Sequence, residues 1–268
     1  MNIPIYQVDA FTTEIFGGNP AAICPLDHWL DTETMQKIAM ENSVAETAFF
    51  VQKHNGFEIR WFTPEIEMDL CGHATLAAAH VIWEHLHHSN NAITFASKSG
   101  DLHVSQTDPS SHSKTRITLD FPSRMPAPAS IPDELCGVFT IAPQEVYQSR
   151  DYVFVYDNEE QIRNLTPDTQ LFDRINLDPG GLIITSKGET VDFVSRFFTP
   201  QASILEDPVT GSAHCSLIPF WAERLGKTTL SAQQLSHRQG TLWCESRGDR
   251  VSISGNAVTY LIGHITLP

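Results

Sequence analysis

RWFTP at Arg60–Pro64 is answered by RFFTP at Arg196–Pro200, and the chain around the two stretches runs in parallel. Each is followed by a short loop, a glycine and a helix-like run. Cys71-Gly72-His73-Ala74-Thr75 leads into LAAAHVIWEHL, and Thr210-Gly211-Ser212-Ala213-His214 leads into CSLIPFWAERLG. Gly100 and Gly240 then each sit between two alternating runs, 28 residues after Gly72 and 29 after Gly211. The offset between copies grows from 136 residues (60 to 196) to 139 (72 to 211) and 140 (100 to 240), as two diverged copies with small loop insertions would show. The repeat predicts two similar lobes.

Each copy places a strand, a loop of small and polar residues, and a helix start at matching positions. Unbonded N–H groups and the positive end of the helix dipole collect at such a start and favour an anion. If the lobes face each other, two helix starts converge on one cleft. A duplication kept only for its fold is the plainer reading. Against it stands the content of the loops: Cys71, His73, Glu206, Asp207, Thr210 and Ser212 are costly or reactive choices beside a buried helix start.

The 268 residues suffice for two lobes of roughly 130 residues each. The Pro-punctuated segment 121–134, with Pro122, Pro126, Pro128 and Pro132, is the expected linker. The expected division is 1–118 with the final strand 258–268, and 119–257. A formal charge of −15 argues against nonspecific binding to nucleic acid or an anionic membrane, which basic patches drive. No apolar run approaches the ~20 residues that span a bilayer, and MNIPIYQVDAF does not read as a signal peptide. Cys24, Cys71, Cys136, Cys215 and Cys244 are odd in number, irregularly spaced and form no CxxC, so free thiols and a cytoplasmic setting are expected.

Strands are expected at 2–10 and 20–25, joined through Gly17-Gly18-Asn19-Pro20, which is turn chemistry and not a phosphate loop. A helix is expected over 31–42, followed by a strand that opens on Glu46. Alternation sets Glu46, Ala48 and Phe50 on one face. A carboxylate thus begins an apolar strand with no Lys or Arg near it in sequence. Desolvation of such a group raises a carboxyl pKa toward the range useful for acid–base chemistry, so Glu46 is the first catalytic candidate; a solvated Glu at a sheet edge is the alternative. The first repeated helix is expected over 73–87. It sets His80, Glu84 and His88 four apart, but no further ligand is evident and HExxH is absent, so no metal site is assigned. Strands are expected at 92–96, 101–106 and 115–121. In the second lobe they are expected at 145–156, 181–186 and 190–198, with short helices at 159–164 and 167–174. Pro219 should delay, kink or shorten the second repeated helix. The last strand, 257–267, could cross back to the first.

Taken together, Gly18-Asn19-Pro20-Ala21, Glu46, CGHAT at 71–75 and EDPVTGSAH at 206–214 resemble the phenazine-biosynthesis PhzF-like family nearly end to end. The resemblance implies an α+β, diaminopimelate-epimerase-like fold: two pseudo-symmetric lobes, each a curled, mostly antiparallel sheet around a central helix, with the active site between them and two copies forming a homodimer. It implies a cofactor-independent isomerase acting on a small carboxylate. The family's characterised reaction moves a proton on a hydroxylated cyclohexadiene amino acid. Carried over by position, Glu46 resembles the acid/base glutamate, and His73 and Asp207 resemble other catalytic groups. Asn19, Gly72, Gly211 and Ser212 resemble substrate-binding groups.

Two departures bear on the transfer. Ala45 stands where relatives often carry Ser, so one hydrogen bond is expected to be absent. Epimerases of this fold use a cysteine before each helix-start glycine, whereas this chain has Cys71 before one and Thr210 before the other. A symmetrical two-thiol racemase is therefore not expected. A one-base or Cys71-assisted racemase, and a non-catalytic interaction protein on the same fold, are the alternatives. Phosphates, metals and cofactors have no motif in the chain.

Overall fold

Apolar alternation and helical spacing sort into two units in the computed structural model, which describes residues 1–107, 115–202 and 204–268. One unit comprises Met1–Phe121 with Ser252–Pro268, the other Pro122–Val251.

In the first unit β1 (Asn2–Ala10) pairs antiparallel with β2 (Asn19–Leu26), which runs parallel to β3 (Glu46–Lys53). Helix α1 (Thr32–Asn42) joins them. The Asp31 carboxylate accepts from the Thr34 amide at its start, and Ser43 ends it in the left-handed region with φ 51°. β3 continues antiparallel to β4 (Gly56–Phe62), which pairs with the two-residue β5 (Glu67–Met68). After α2 (Gly72–Glu84) come β6 (Ala92–Ser97), which runs parallel to β4, and then β7 (Gly100–Gln106) and β8 (Ile117–Pro122), each antiparallel to the strand before it.

α2 is apolar nearly all round. His73–Ala79, Val81 and Ile82 are buried, as expected of a helix enclosed by its sheet, and it packs against β1, β2 and β3. Four alanines in its first two turns, Ala74, Ala77, Ala78 and Ala79, allow that close approach. Met35, Ile38, Phe49 and Phe62 pack together beneath α1.

The second unit repeats this plan. β9 (Ala127–Pro128) pairs with β10 (Glu145–Gln148), and β10 with β11 (Tyr152–Val155). The expected strand over 145–156 is thus a hairpin, turned at 149–151, and part of the expected linker is strand. Short helices α3 (Glu159–Asn164) and α4 (Thr169–Phe172) lead to β12 (Leu182–Lys187), parallel to β11, and to β13 (Phe193–Phe198). β14 (Glu206–Asp207), α5 (Gly211–Leu225), β15 (Thr229–Gln234) and β16 (Gly240–Arg247) echo β5, α2, β6 and β7. β17 (Arg250–Gly255) returns the chain to the first unit, where β18 (Ala257–Thr266) pairs with β1, as expected.

The repeated arginine has one job in both units. Arg60 Nε and Nη2 donate to the two carboxylate oxygens of Glu67 at 2.7 and 2.9 Å. Arg196 does the same to Glu206 at 2.6 and 2.8 Å. Each guanidinium also lies over the phenylalanine two residues on, Phe62 or Phe198. This fork ties the loop before each helix start to its strand.

α5 does not break at Pro219. Proline removes one amide from the helix ladder and would leave the Cys215 carbonyl without its partner. The Arg124 amide fills that place, 2.9 Å from Cys215 O. α2, by contrast, stops at Glu84, sooner than expected, so His88 does not extend the helical face of His80 and Glu84. His80 Nε2 instead meets Thr259 Oγ1 at 2.9 Å. Among the described residues, no helix is long and apolar enough to cross a membrane.

Candidate functional site

Ser43 turns the chain out of α1, and Glu46 is the first residue of β3. β2 runs parallel beside it with Ala21 opposite Glu46, which places Asn19, two residues earlier, at the same end. Gly18 permits that entry: its φ is +57°, and a Cβ there would lie 2.0 Å from the Ala10 carbonyl oxygen. α2 begins at this end too. Its N-cap, Cys71, is extended and its side chain caps nothing, so the amides of Gly72 and His73 are left for a ligand.

Glu46, Cys71, His73, Asn19 and Gly72 are therefore brought together. His73 is 5% exposed and the Glu46 side chain 16%, so Glu46 is not the solvated edge residue of the alternative reading. His73 Nε2 lies 3.1 Å from Glu46 Oε2. The two are out of line for a hydrogen bond, and neither buried atom has another partner. On the far side of the ring, Nδ1 is 3.2 Å from Asn19 Nδ2 and 3.5 Å from Cys71 Sγ.

Burial opposes a charge on His73, but negative charge on Cys71 and Glu46 beside it outweighs burial and holds the imidazole well above its usual range. Burial pushes the Cys71 thiol up, and the Glu46 carboxylate adds to that. With Cys71 kept a thiol, Glu46 is the partner that matters for His73 near neutral pH. A buried imidazole paired with a carboxyl group results, inside an apolar sheet at the positive end of a helix.

In the second unit Asp207 ends β14, and Gly211 and Ser212 open α5. Thr210, the N-cap, is extended like Cys71, and its hydroxyl donates to Asp207 Oδ2 while leaving the first-turn amides uncapped. Two residues outside the sequence reading hold this loop. Gln234, fully buried on β15, accepts from the Thr210 amide at 2.9 Å and donates to Asp207 O at 2.8 Å and Thr210 Oγ1 at 3.1 Å. Ser236 donates to Pro208 O at 2.8 Å. A polar pair in the alternating run before Gly240, Gln233-Gln234, was the available signal. His214 fixes the start of α5 from below, with Nδ1 2.8 Å from Thr210 O.

Among the described residues, Glu46, Cys71 and His73 form a group of three metal-ligating side chains, a constellation the sequence reading did not assign.

Comparison with known proteins places these features. The profile of phenazine biosynthesis-like (PhzC-PhzF) proteins matches residues 8–263. A Pseudomonas aeruginosa protein named an uncharacterised isomerase is 47% identical over 268 residues, covering 100% of both chains. One so named from Halalkalibacterium halodurans is 44% identical over 272 residues, again covering 100% of both. The crystal structure of a PhzF-family protein from Enterococcus faecalis superposes with a TM-score of 0.93 at 44% identity, covering 100% of both chains.

Proposed function

The chain belongs to the phenazine biosynthesis-like family, and from that premise we propose that it moves a proton on a small amino or hydroxy carboxylate by acid–base chemistry, with Glu46 as the group that takes and returns the proton. It is an isomerase, the activity for which its near relatives are named. The observation that carries the proposal is the buried Glu46–His73 pair at the uncapped start of α2.

Removing a proton from carbon beside a carboxylate builds negative charge on the substrate. The amides of Gly72 and His73 offer preorganised stabilisation for it, with the His73 ring beside Glu46. Glu46, shielded from water, accepts the proton and then serves as the acid that returns it. This step needs only groups that the chain itself supplies, so no cofactor is proposed. Asp207, Gly211 and Ser212, in the loop held by Gln234, are proposed as further functional groups, Asp207 in proton transfer and the helix-start groups in carboxylate binding. A role for Cys71 as nucleophile is disfavoured, because its burial keeps the thiol protonated.

Solvent deuterium incorporation tests this. The protein is incubated in heavy water with a panel of amino, hydroxy and dienoic carboxylates beside a Glu46→Gln variant, and exchange is read by mass spectrometry. Exchange by the parent chain with loss of at least about a hundredfold in E46Q is expected for a general base. Equal exchange by a folded E46Q refutes the role given to Glu46.

A further inference from the structure

The two nitrogens of His73 face opposite ways, Nε2 toward Glu46 and Nδ1 toward Asn19 and Cys71, so Glu46, Cys71 and His73 do not converge on one ion. The partners of Nδ1 decide where the ring keeps its hydrogen. Asn19 Nδ2, 3.2 Å away, is an amide nitrogen and only donates. Cys71 Sγ, 3.5 Å away, is a weak acceptor at best. A hydrogen on Nδ1 would meet the amide hydrogens in a place without water, since Asn19 is fully buried and His73 is 5% exposed. Nδ1 therefore accepts, and the hydrogen of the ring sits on Nε2, on the side of Glu46 Oε2. We propose that Asn19 is a positioning residue: its amide fixes His73 as the neutral tautomer with hydrogen on Nε2, and so leaves Glu46 as the one group of the pair that gains and loses charge. The part about Glu46 rests on the function proposed above; the tautomer does not.

The local backbone holds Asn19 in this role. It begins β2 opposite Ala10, and the positive φ of Gly18 sets its entry. The surrounding charges permit a neutral ring. Burial is the largest influence on His73 and opposes a charge; the upward pull draws next on a negative Cys71 and then on Glu46. Burial keeps Cys71 a thiol, which removes the first of those pulls. A donor at Nδ1 favours the neutral ring further. Asp9, on the strand beside Asn19, accepts from the Phe16 amide at 2.8 Å. A neutral His73 keeps its Nε2 hydrogen as a donor near Glu46 and does not compete for the proton that Glu46 carries. Aspartate in place of Asn19 would accept at Nδ1 instead and create an imidazolium between two carboxylates.

Long-range proton–nitrogen NMR on protein labelled with heavy nitrogen in histidine tells the two neutral tautomers and the imidazolium apart. The His73 signals are assigned by their loss in His73→Gln. At about pH 7 the parent chain should show His73 with hydrogen on Nε2 alone. Asn19→Ala removes a hydrogen bond made to the neutral ring and should raise the proton affinity of His73 by about tenfold. Asn19→Asp should show the imidazolium at the same pH. It should also slow deuterium exchange by at least about tenfold, because a cation beside Glu46 weakens it as a base. A hydrogen on Nδ1 in the parent chain, in either form, overturns the tautomer. So does an N19A ring that binds its proton more weakly, which would mean that the amide oxygen faces it. Equal exchange by the parent and a folded N19D that shows the imidazolium overturns the part about Glu46. If neither variant folds by circular dichroism, the parent spectrum decides alone. That spectrum needs no substrate, so its failure leaves the isomerase reading standing, and failed deuterium exchange leaves the tautomer standing.

Discussion

Acid should unseat the start of α5 through His214. The ring is fully buried, and its Nδ1 lies 2.8 Å from Thr210 O, a carbonyl that can only accept. Nδ1 therefore carries the hydrogen, and Nε2 is a bare lone pair with no partner. A second proton would create an N–H with nothing to receive it, in a site lined by rings such as Phe193. Burial accordingly lowers the imidazole from 6.5 to about 4, against a smaller upward pull from the Thr210 carbonyl. Between those values the unfolded chain binds the proton and the folded chain does not. Stability therefore falls as pH drops below 6.5, and the loss is complete below about 4. A shift of about 2.5 units at about 1.4 kcal/mol each gives roughly 3 kcal/mol in all. His80, also lowered to about 4 by burial and by His85, adds a loss of the same sign. Glu67, held down to about 2 by Arg60, loses its contribution only below its ordinary 4.5, outside the upper window.

The assay is urea unfolding at pH steps from about 7 to about 4.5. His214→Gln keeps a donor for Thr210 O but cannot titrate. It should flatten the slope by about 1.4 kcal/mol per pH unit through most of this window. Histidine NMR supplies the second reading, with the His214 resonance expected to stay neutral down to about pH 5. A His214 signal that titrates near 6.5, or an H214Q variant with the parent slope, would refute the reasoning.

Gln234→Leu should cost about 2–4 kcal/mol, because the Thr210 amide and Asp207 carbonyl lose their partner. Denaturation midpoints measure this, and a loss under about 1 kcal/mol would contradict the anchoring role. Arg196→Met leaves the half-buried Glu206 unpaired and should cost about 3 kcal/mol, of which Arg196→Lys recovers only part, since lysine cannot make the two-pronged contact. Equal stability of R196K and the parent would count against the fork. Gly18→Ala should destabilise by about 2 kcal/mol or more, from the left-handed φ and the clash with Ala10 O, read as a fall in thermal midpoint.

The repeat was legible because strand and helix periodicity and the RWFTP/RFFTP echo are local signals, and β4, α2, β13 and α5 stand where they point. What escaped depended on distant partners. The Arg124 amide that completes α5 beneath Pro219 lies 91 residues away in the chain (124 to 215), and no pattern in either segment announces the pairing. The strand in the expected linker exists only because β10 pairs with it. At the site, Glu46, His73 and Asn19 were readable as residues with chemistry. The meeting of Cys71 and His73 with Glu46 was not, because it requires β3 and α2 to start at one level of the sheet.

Register shows how the two copies diverged. Thr47 pairs with Phe62 in the first unit, and Leu182 with Phe198 in the second. Since Phe62 and Phe198 correspond in the repeat, the counterpart of Glu46 is Gly181. A Cβ at Gly181 would stand 2.5 Å from the Phe197 ring and 2.8 Å from Phe198 O, so no carboxylate fits there without moving the strand. The Gly181 amide instead donates to the buried Asp151 at 2.9 Å. Likewise Ser212 stands where the first copy has His73. Both copies keep the parts that build a helix start, the arginine fork and the uncapped first turn, but only the first keeps a buried carboxylate–imidazole pair. Asymmetry of this kind suits a reaction in which one base takes a proton and returns it, and it is unsuited to two equivalent bases working on opposite faces of a substrate.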